Sequence, residues 1–232
     1  SNLENYMKQQ AIFCEQNDSI SKNLYSEYGV KRGLRDEKGQ GVLTGLTNIS
    51  DIKAFEYHDG VKSPCDGELS YRGYNIKDLV TGSKGKRFVF EEGAYLLLFG
   101  ELPTDTQLME FQGRLSDCME LPTNFTRDVI MKAPTSDIMG SMTRSILTLG
   151  SYDKEKESLE IPNVLRQSMQ LIAVFPMLAV YAYHAYCHYE KNESMYIHRP
   201  EKDLSIAENF LRLLRPDTKF TELEARVLDI AL

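Results

Sequence analysis

Two histidines and a group of arginines are the residues of this sequence whose type and spacing could do chemistry. His184 and His188 stand four residues apart, so one face of a helix could present both imidazoles to a metal ion, with Cys187 beside them. A metal site of this kind needs a further ligand, and no residue follows them at a suitable spacing. The tyrosines in this region instead favour a packed helix face, and they are Tyr181, Tyr183, Tyr186 and Tyr189. The sequence therefore predicts no metal site.

The basic residues Lys31, Arg32 and Arg35 surround Gly33. An arginine near glycine can lay its guanidinium fork on a phosphate, because the backbone there allows a close approach. The same composition also fits a solvated turn, and the residues alone favour this second interpretation. Arg72 stands between two tyrosines, an arrangement that predicts a structural role through stacking and pairing.

The composition is that of a globular protein, with 42% hydrophobic and 26% charged residues in a chain of 232. Its net charge of −7 argues against a nucleic-acid partner, since phosphate binding needs a basic face. The apolar region Gln170–Tyr186 is interrupted by Pro176 and His184, which predicts a buried helix and no membrane span. No glycine-rich phosphate loop, nucleophile elbow or zinc-protease motif occurs in the sequence.

The cysteines at positions 14, 65, 118 and 187 form no C-x-x-C pair and follow no regular spacing. Such scattered cysteines are typical of reduced thiols, and they predict a cytoplasmic protein. The N-terminus has neither an apolar signal core nor an arginine-rich amphipathic start. We interpret Ser1-Asn2 as the remainder of a cleaved expression tag.

Helix signals dominate the chain and predict a mainly α, multi-helical fold. Glycines punctuate β-prone stretches at Gly41–Ile49 and Phe55–His58, which predict a small β element near residues 41–72. Capping-box patterns begin at Thr104, Ser205 and Thr221. The predicted helices are Asn5–Glu15, Asn23–Tyr28, Phe90–Phe99 with Gly100 as its C-terminal cap, Ser136–Leu149 with Gly150 behind it, and Pro162–Tyr189 with a kink at Pro176.

The last predicted helix begins at the Thr221 cap and runs through Val227–Leu232 without a glycine or a basic last turn. One interpretation is a natural C-terminal helix docked on the core. The other is that the protein continues beyond Leu232, and the helix pattern alone favours neither.

Several runs of the sequence resemble the citrate synthase family, in the family's order, from about Val30 to Leu232. Many members carry His-Pro-Met at the position of Ser136–Met139. The different residues in this sequence resemble a bacterial, clostridial-like branch of the family. The matching runs are GLR at 33–35, DGELSYRGYNI at 66–76, FEEGAYLLLFGELPT at 90–104, SYD at 151–153, DLS and AENF between 203 and 210, and LEARVLD at 223–229.

This resemblance implies a helical homodimer that condenses acetyl-CoA with oxaloacetate and needs no cofactor besides these substrates. It implies an N-terminal helical segment at residues 1–30 and the N-terminal portion of the family's large domain at residues 31–232. The catalytic aspartate, both catalytic histidines and the carboxylate-binding arginines are then expected beyond Leu232, so the chain alone is expected to be inactive. Arg35 matches a family arginine that contacts CoA phosphates, which reverses the preference for a solvated turn.

The helix predicted at Ser136–Leu149 is similar to a helix of the family's dimer interface. Gly140, Ser141 and Ser145 would allow a close approach there, and they would equally suit a contact inside one chain. Two alternatives to citrate synthase stay open. One is a 2-methylcitrate synthase, which uses propionyl-CoA; the other is a non-catalytic helical module for dimerisation or regulation.

Overall fold

The computed structural model describes residues 1–17, 20–82 and 87–232. The chain divides into two compact units, Ser1–Thr47 and Asn48–Leu232.

The first unit contains two helices and a tight turn. Helix α1 is Asn2–Gln16 and has no buried residue, and α2 is Asn23–Glu27. The strand predicted at Gly41–Ile49 is wrong, because this stretch is irregular apart from a single bridge between Gly41 and Arg35. A β-prone stretch becomes a strand only when a partner strand supplies its hydrogen bonds, and no such ladder forms here.

The second unit begins with an antiparallel sheet whose strands follow one another in the order β1-β2-β3. These strands are β1 Ser50–His58, β2 Val61–Tyr71 and β3 Tyr74–Asn75. Asp59 and Gly60 join β1 to β2 with φ angles of 52° and 79°, which suits the tight hairpin turn between two right-twisted strands. The small β element is therefore confirmed, but it occupies residues 50–75 and lies later than predicted.

Helices make up the rest of the second unit, and the mainly α fold is confirmed. A π-helical turn, Thr126–Ile130, interrupts the helical series. The helices are α3 Ile76–Thr81, α4 Val89–Phe99, α5 Asp105–Asp117, α6 Ile138–Gly150, α7 Ile161–Lys191, α8 Ile206–Leu214 and α9 Glu222–Ala231.

Local sequence signals set most of these helix ends. The three predicted capping boxes form at the starts of α5, α8 and α9, where each cap side chain and its partner satisfy backbone donors. Gly100 ends α4 with a φ of 85°, a left-handed conformation that favours glycine. Gly150 was expected to follow α6 but is its last residue, and Ser151 is the C-terminal cap.

The core lies around the C-terminal two thirds of α7. Its buried residues on this helix include Val174, Met177, Leu178 and Tyr181, and they contact side chains from α5, α6 and α8. Within the described residues, α7 is the one helix that is long and apolar enough to cross a membrane on length and composition, a test that a core helix also passes. The buried helix predicted from Gln170–Tyr186 is confirmed, and the kink at Pro176 stays a prediction.

Candidate functional site

Arg35 lies in the turn of the first unit, and its side chain is exposed. Its Nη1 donates to the Gly39 carbonyl at 2.8 Å, while the Asp36 carboxylate accepts from the backbone N–H groups of Lys38 and Gln40 at 2.9 and 2.8 Å. The turn therefore holds one terminal nitrogen of the guanidinium in place, and the exposed side chain stays accessible to an anion from solvent. Gly33 has a φ of 97°, so the backbone before Arg35 takes a conformation that glycine allows at little cost.

Every histidine of the sequence makes a contact within the chain. His184 is buried, and its Nε2 donates to the Leu213 carbonyl at 3.0 Å, at the end of α8. His188 Nδ1 donates to the Glu193 carbonyl at 2.7 Å, and His198 Nε2 donates to the Pro216 carbonyl at 3.0 Å. His58 pairs on the surface with Glu56. Because carbonyl oxygens only accept, the first three imidazoles act as donors, and they connect α7 to α8, the end of α7 to the following loop, and one loop to another.

His184 and His188 thus each use one ring nitrogen for a hydrogen bond to a backbone carbonyl. Across residues 1–17, 20–82 and 87–232, no group of three His, Cys, Asp or Glu side chains could hold a metal ion. Arg72 also acts within the fold, since its Nε and Nη2 donate to the Leu97 carbonyl at 3.3 and 2.9 Å and cap the last turn of α4. The structure shows a structural role for Arg72 through these hydrogen bonds, and its stacking on the neighbouring tyrosines stays a prediction.

Three carboxyl groups converge where α4, α8 and α9 meet, and we call Glu91, Glu208 and Asp229 the carboxyl junction. Asp229, in the last turn of α9, accepts from the backbone N–H groups of Val89 and Phe90 at 2.9 Å each. Glu91 Oε1 accepts from the N–H of Ile206 at 2.7 Å, at the start of α8. Two carboxylates thus face two helix N-termini, where the backbone offers unpaired donors and a positive dipole end.

Arg87 lies at the surface side of the junction and pairs with one of its carboxylates. Its Nε donates to Glu208 at 2.6 Å and its Nη2 donates to the Asp203 carbonyl at 2.8 Å. A cavity of about 440 Å³ lies beside this pair, and Arg226 of α9 also lines it.

Burial changes the acid–base behaviour of the junction. The Glu91 side chain is fully buried, and this burial raises its pKa to about 7, against the lowering effect of the Ile206 N–H. Burial also raises the pKa of Asp229, although the N–H groups of Phe90 and Val89 oppose it. The sequence alone does not predict this junction, because its hydrogen bonds join residues more than 100 positions apart. The only local signal was the acidic pair at the start of α4.

A second cavity of about 620 Å³ lies between the end of α5, α6 and the first half of α7. Apolar side chains such as Ile146 and Val174 line part of it, and Arg166 and Asp153 stand at its edge. Arg166 Nη2 donates to both Asp153 oxygens at 2.9 and 3.0 Å. Hydrogen bonds from Gln167 and from the Glu155 N–H, together with Arg166, lower the pKa of Asp153. Arg166 thus already pairs with a carboxylate, and Lys156 also lines the cavity.

Two of the three small residues of α6, the serines, face the interior of the chain, whereas Gly140 is exposed. Ser141 and Ser145 are buried, whereas Met139 and Leu147 are 79% and 73% exposed on the other side of the helix. Of the two contacts that the sequence allowed for the serines, the structure shows the internal one.

The family model described as citrate synthase, C-terminal domain, matches residues 34–232. This match covers most of the chain and decides the family. The chain belongs to the citrate synthase family. The resemblance noted in the sequence runs is thereby confirmed, and so is the expectation of a multi-helical citrate-synthase-like fold.

Relatives in the family carry two different names. The chain is 31% identical over 165 residues to a 2-methylcitrate synthase of Shewanella oneidensis, which covers 71% of this chain and 40% of that protein. It is 29% identical over 182 residues to a citrate synthase of Saccharolobus solfataricus, covering 78% of this chain and 41% of that protein. The chain thus spans about two fifths of the length of these citrate synthase relatives.

Solved structures of citrate synthases share the fold. The enzyme from Pyrobaculum aerophilum superposes with a TM-score of 0.64 at 24% identity, over 87% of this chain and 49% of that one. The enzyme from Thermoplasma acidophilum, solved as a ternary complex with carboxymethyl coenzyme A and oxaloacetate, has a TM-score of 0.64 at 20% identity and covers 82% of this chain and 44% of that one.

Proposed function

We propose that the complete protein to which this chain belongs condenses acetyl-CoA with oxaloacetate, giving citrate and free CoA. The observation that carries this proposal is the family match over residues 34–232. The ligands of the Thermoplasma acidophilum structure, a CoA derivative and oxaloacetate, are of the chemical classes that the proposal requires.

We place the catalytic groups outside residues 1–232. The condensation needs a base that removes a methyl proton from the acyl-CoA, a donor that stabilises the enolate and an acid that protonates the oxaloacetate carbonyl. Three of the four histidines donate to backbone carbonyls at helix and loop junctions, and the fourth pairs with Glu56 on the surface. This chain then acts as scaffold for substrate-binding residues supplied by the rest of the protein.

A 2-methylcitrate synthase is the second candidate, and the Shewanella oneidensis relative favours it. The test compares acetyl-CoA with propionyl-CoA in the complete gene product, with oxaloacetate saturating and free thiol as the readout. A citrate synthase should show a kcat/KM for acetyl-CoA at least about 10-fold higher, since one methylene commonly changes discrimination by that much. The reverse ratio would assign the 2-methylcitrate reaction, and turnover with neither substrate would favour a non-catalytic helical module.

Arg35 is proposed as a contact to a CoA phosphate. Its exposed guanidinium and its fixed position in the turn support this role. A single exposed charge-assisted hydrogen bond contributes about 1 kcal/mol, so Arg35→Ala in the complete protein should weaken CoA binding roughly 5-fold. Isothermal titration with CoA measures this change.

Arg32→Ala is the matched control, because Arg32 is also exposed and lies three residues before Arg35. It should change CoA affinity less than 2-fold, a level at which no specific contact is lost. The CoA affinity of Arg35→Lys should lie between those of the wild type and Arg35→Ala, because lysine keeps the charge and lacks the planar guanidinium fork. An equal loss of CoA affinity in Arg32→Ala and Arg35→Ala would show that both residues act only by general charge attraction. Arg35 would then not be a specific CoA contact.

We also propose that the complete protein is a cytoplasmic homodimer. The exposed apolar side chains Met139 and Leu147 on the outer face of α6 support an interface there. The four cysteines are free thiols, which is compatible with a reducing compartment.

A further inference from the structure

The carboxyl junction holds more negative charge than its surroundings neutralise. Asp229 on α9 and Glu208 on α8 are the carboxylates that act electrostatically on Glu91. The cation that pairs within the junction is Arg87, which contacts Glu208 and is itself half-exposed. Arg226 lies further out, along the cavity that Glu222 also lines.

Glu91 is the group in the junction with an unsatisfied atom. Its Oε1 accepts from Ile206, but its Oε2 is buried and has no hydrogen-bond partner within the described residues. An ionised carboxylate with a bare, buried oxygen is costly, whereas the protonated acid keeps the same acceptor for Ile206 and carries no charge. Geometry and burial therefore favour a proton on Glu91 when the three helices are packed together.

We propose that the carboxyl junction is a proton-operated latch that holds α9 and the start of α8 against α4 while Glu91 is protonated. Ionisation of Glu91 adds a further negative charge to a junction that already holds those of Asp229 and Glu208. It also places charge beside a buried oxygen that has no hydrogen-bond partner within the described residues. Both effects favour opening of α9, which packs directly on α4 and α8.

The direction of the pH dependence follows from the pKa of Glu91, which is about 7 in the folded chain and 4.5 as its ordinary value. Because the folded pKa is the higher one, the stabilisation is fully present below pH 4.5. It is lost as the pH rises from 4.5 to about 7, and it changes no further above that. Over this interval the equilibrium constant for opening should rise by about 300-fold.

The test is amide hydrogen exchange of α9 in the 232-residue chain between pH 4.5 and 8, corrected for the intrinsic exchange rate. Glu91→Gln keeps an acceptor for Ile206 and cannot ionise, so its α9 amides should stay protected across the range. The equilibrium constant for opening of α9 in wild type, divided by that in Glu91→Gln, should rise by up to about 300-fold from the lowest to the highest pH. Glu110→Gln, an exposed glutamate on α5, is the matched control and should follow wild type.

Identical pH profiles for wild type and Glu91→Gln would overturn the latch. A second measurement does not depend on the folding of the variant. Infrared spectroscopy of the wild-type chain should show the carbonyl stretch of a protonated carboxylic acid at pH 6, and this band should disappear by pH 8. Absence of the band at pH 6 would equally exclude the latch, because Glu91 would then be ionised while α9 is docked.

Discussion

Replacing Phe125 with alanine is expected to lower the free energy of unfolding by about 3–5 kcal/mol. Phe125 is 1% exposed and belongs to the core around α7, immediately before the π-helical turn. Its ring also meets Tyr152 edge-on, with centroids 6.2 Å apart. The substitution removes buried apolar surface and leaves a cavity that the neighbouring helices fill only in part, and both terms destabilise the fold.

Urea denaturation followed by circular dichroism measures this loss, which is a large fraction of the total stability of a typical domain, about 5–15 kcal/mol. Phe13→Ala is the matched control, because it makes the same substitution on α1, which has no buried residue. It should change the stability by less than about 0.5 kcal/mol. If both variants changed the free energy of unfolding by similarly small amounts, Phe125 would not lie in a cooperatively folded core.

The helix ends show how far local sequence determines this fold. At Thr104, Ser205 and Thr221 the cap hydroxyl and the side chain three residues later are both encoded within four residues, so the predicted boxes form. Gly100 was predicted for the same reason, because a left-handed cap is a property of one residue. Gly150 was predicted one position too early as the stop signal, since it is the last residue of α6 and Ser151 is the cap.

Features that depend on distant partners were not predictable from one sequence. The stretch 41–49 has strand-like residues, but its strand would need a partner that the fold does not provide. Glu91 resembles an ordinary acidic residue in a first helical turn, and only the arrival of Ile206 and Asp229 from over 100 positions away buries it. The family resemblance identified the fold correctly, and it named Arg35 as the one ligand contact to test.

We propose that this chain forms the scaffold part of a citrate synthase family enzyme, with the catalytic groups elsewhere in the protein. The hydrogen bonds of His184, His188 and His198 to backbone carbonyls agree with this proposal, since one ring nitrogen of each has a structural use. Losing general acid–base and electrostatic catalysis together removes most of the rate enhancement of an enzyme of this kind.

The most direct measurement mixes residues 1–232 with acetyl-CoA and oxaloacetate and follows free CoA with a thiol reagent, beside the complete gene product as positive control. We expect thiol release by the chain to equal that of buffer, and the complete protein to turn over at roughly 1–1,000 per second. Release above buffer by residues 1–232 alone, scaling with their concentration, would contradict the account, because catalytic groups would then lie within this chain.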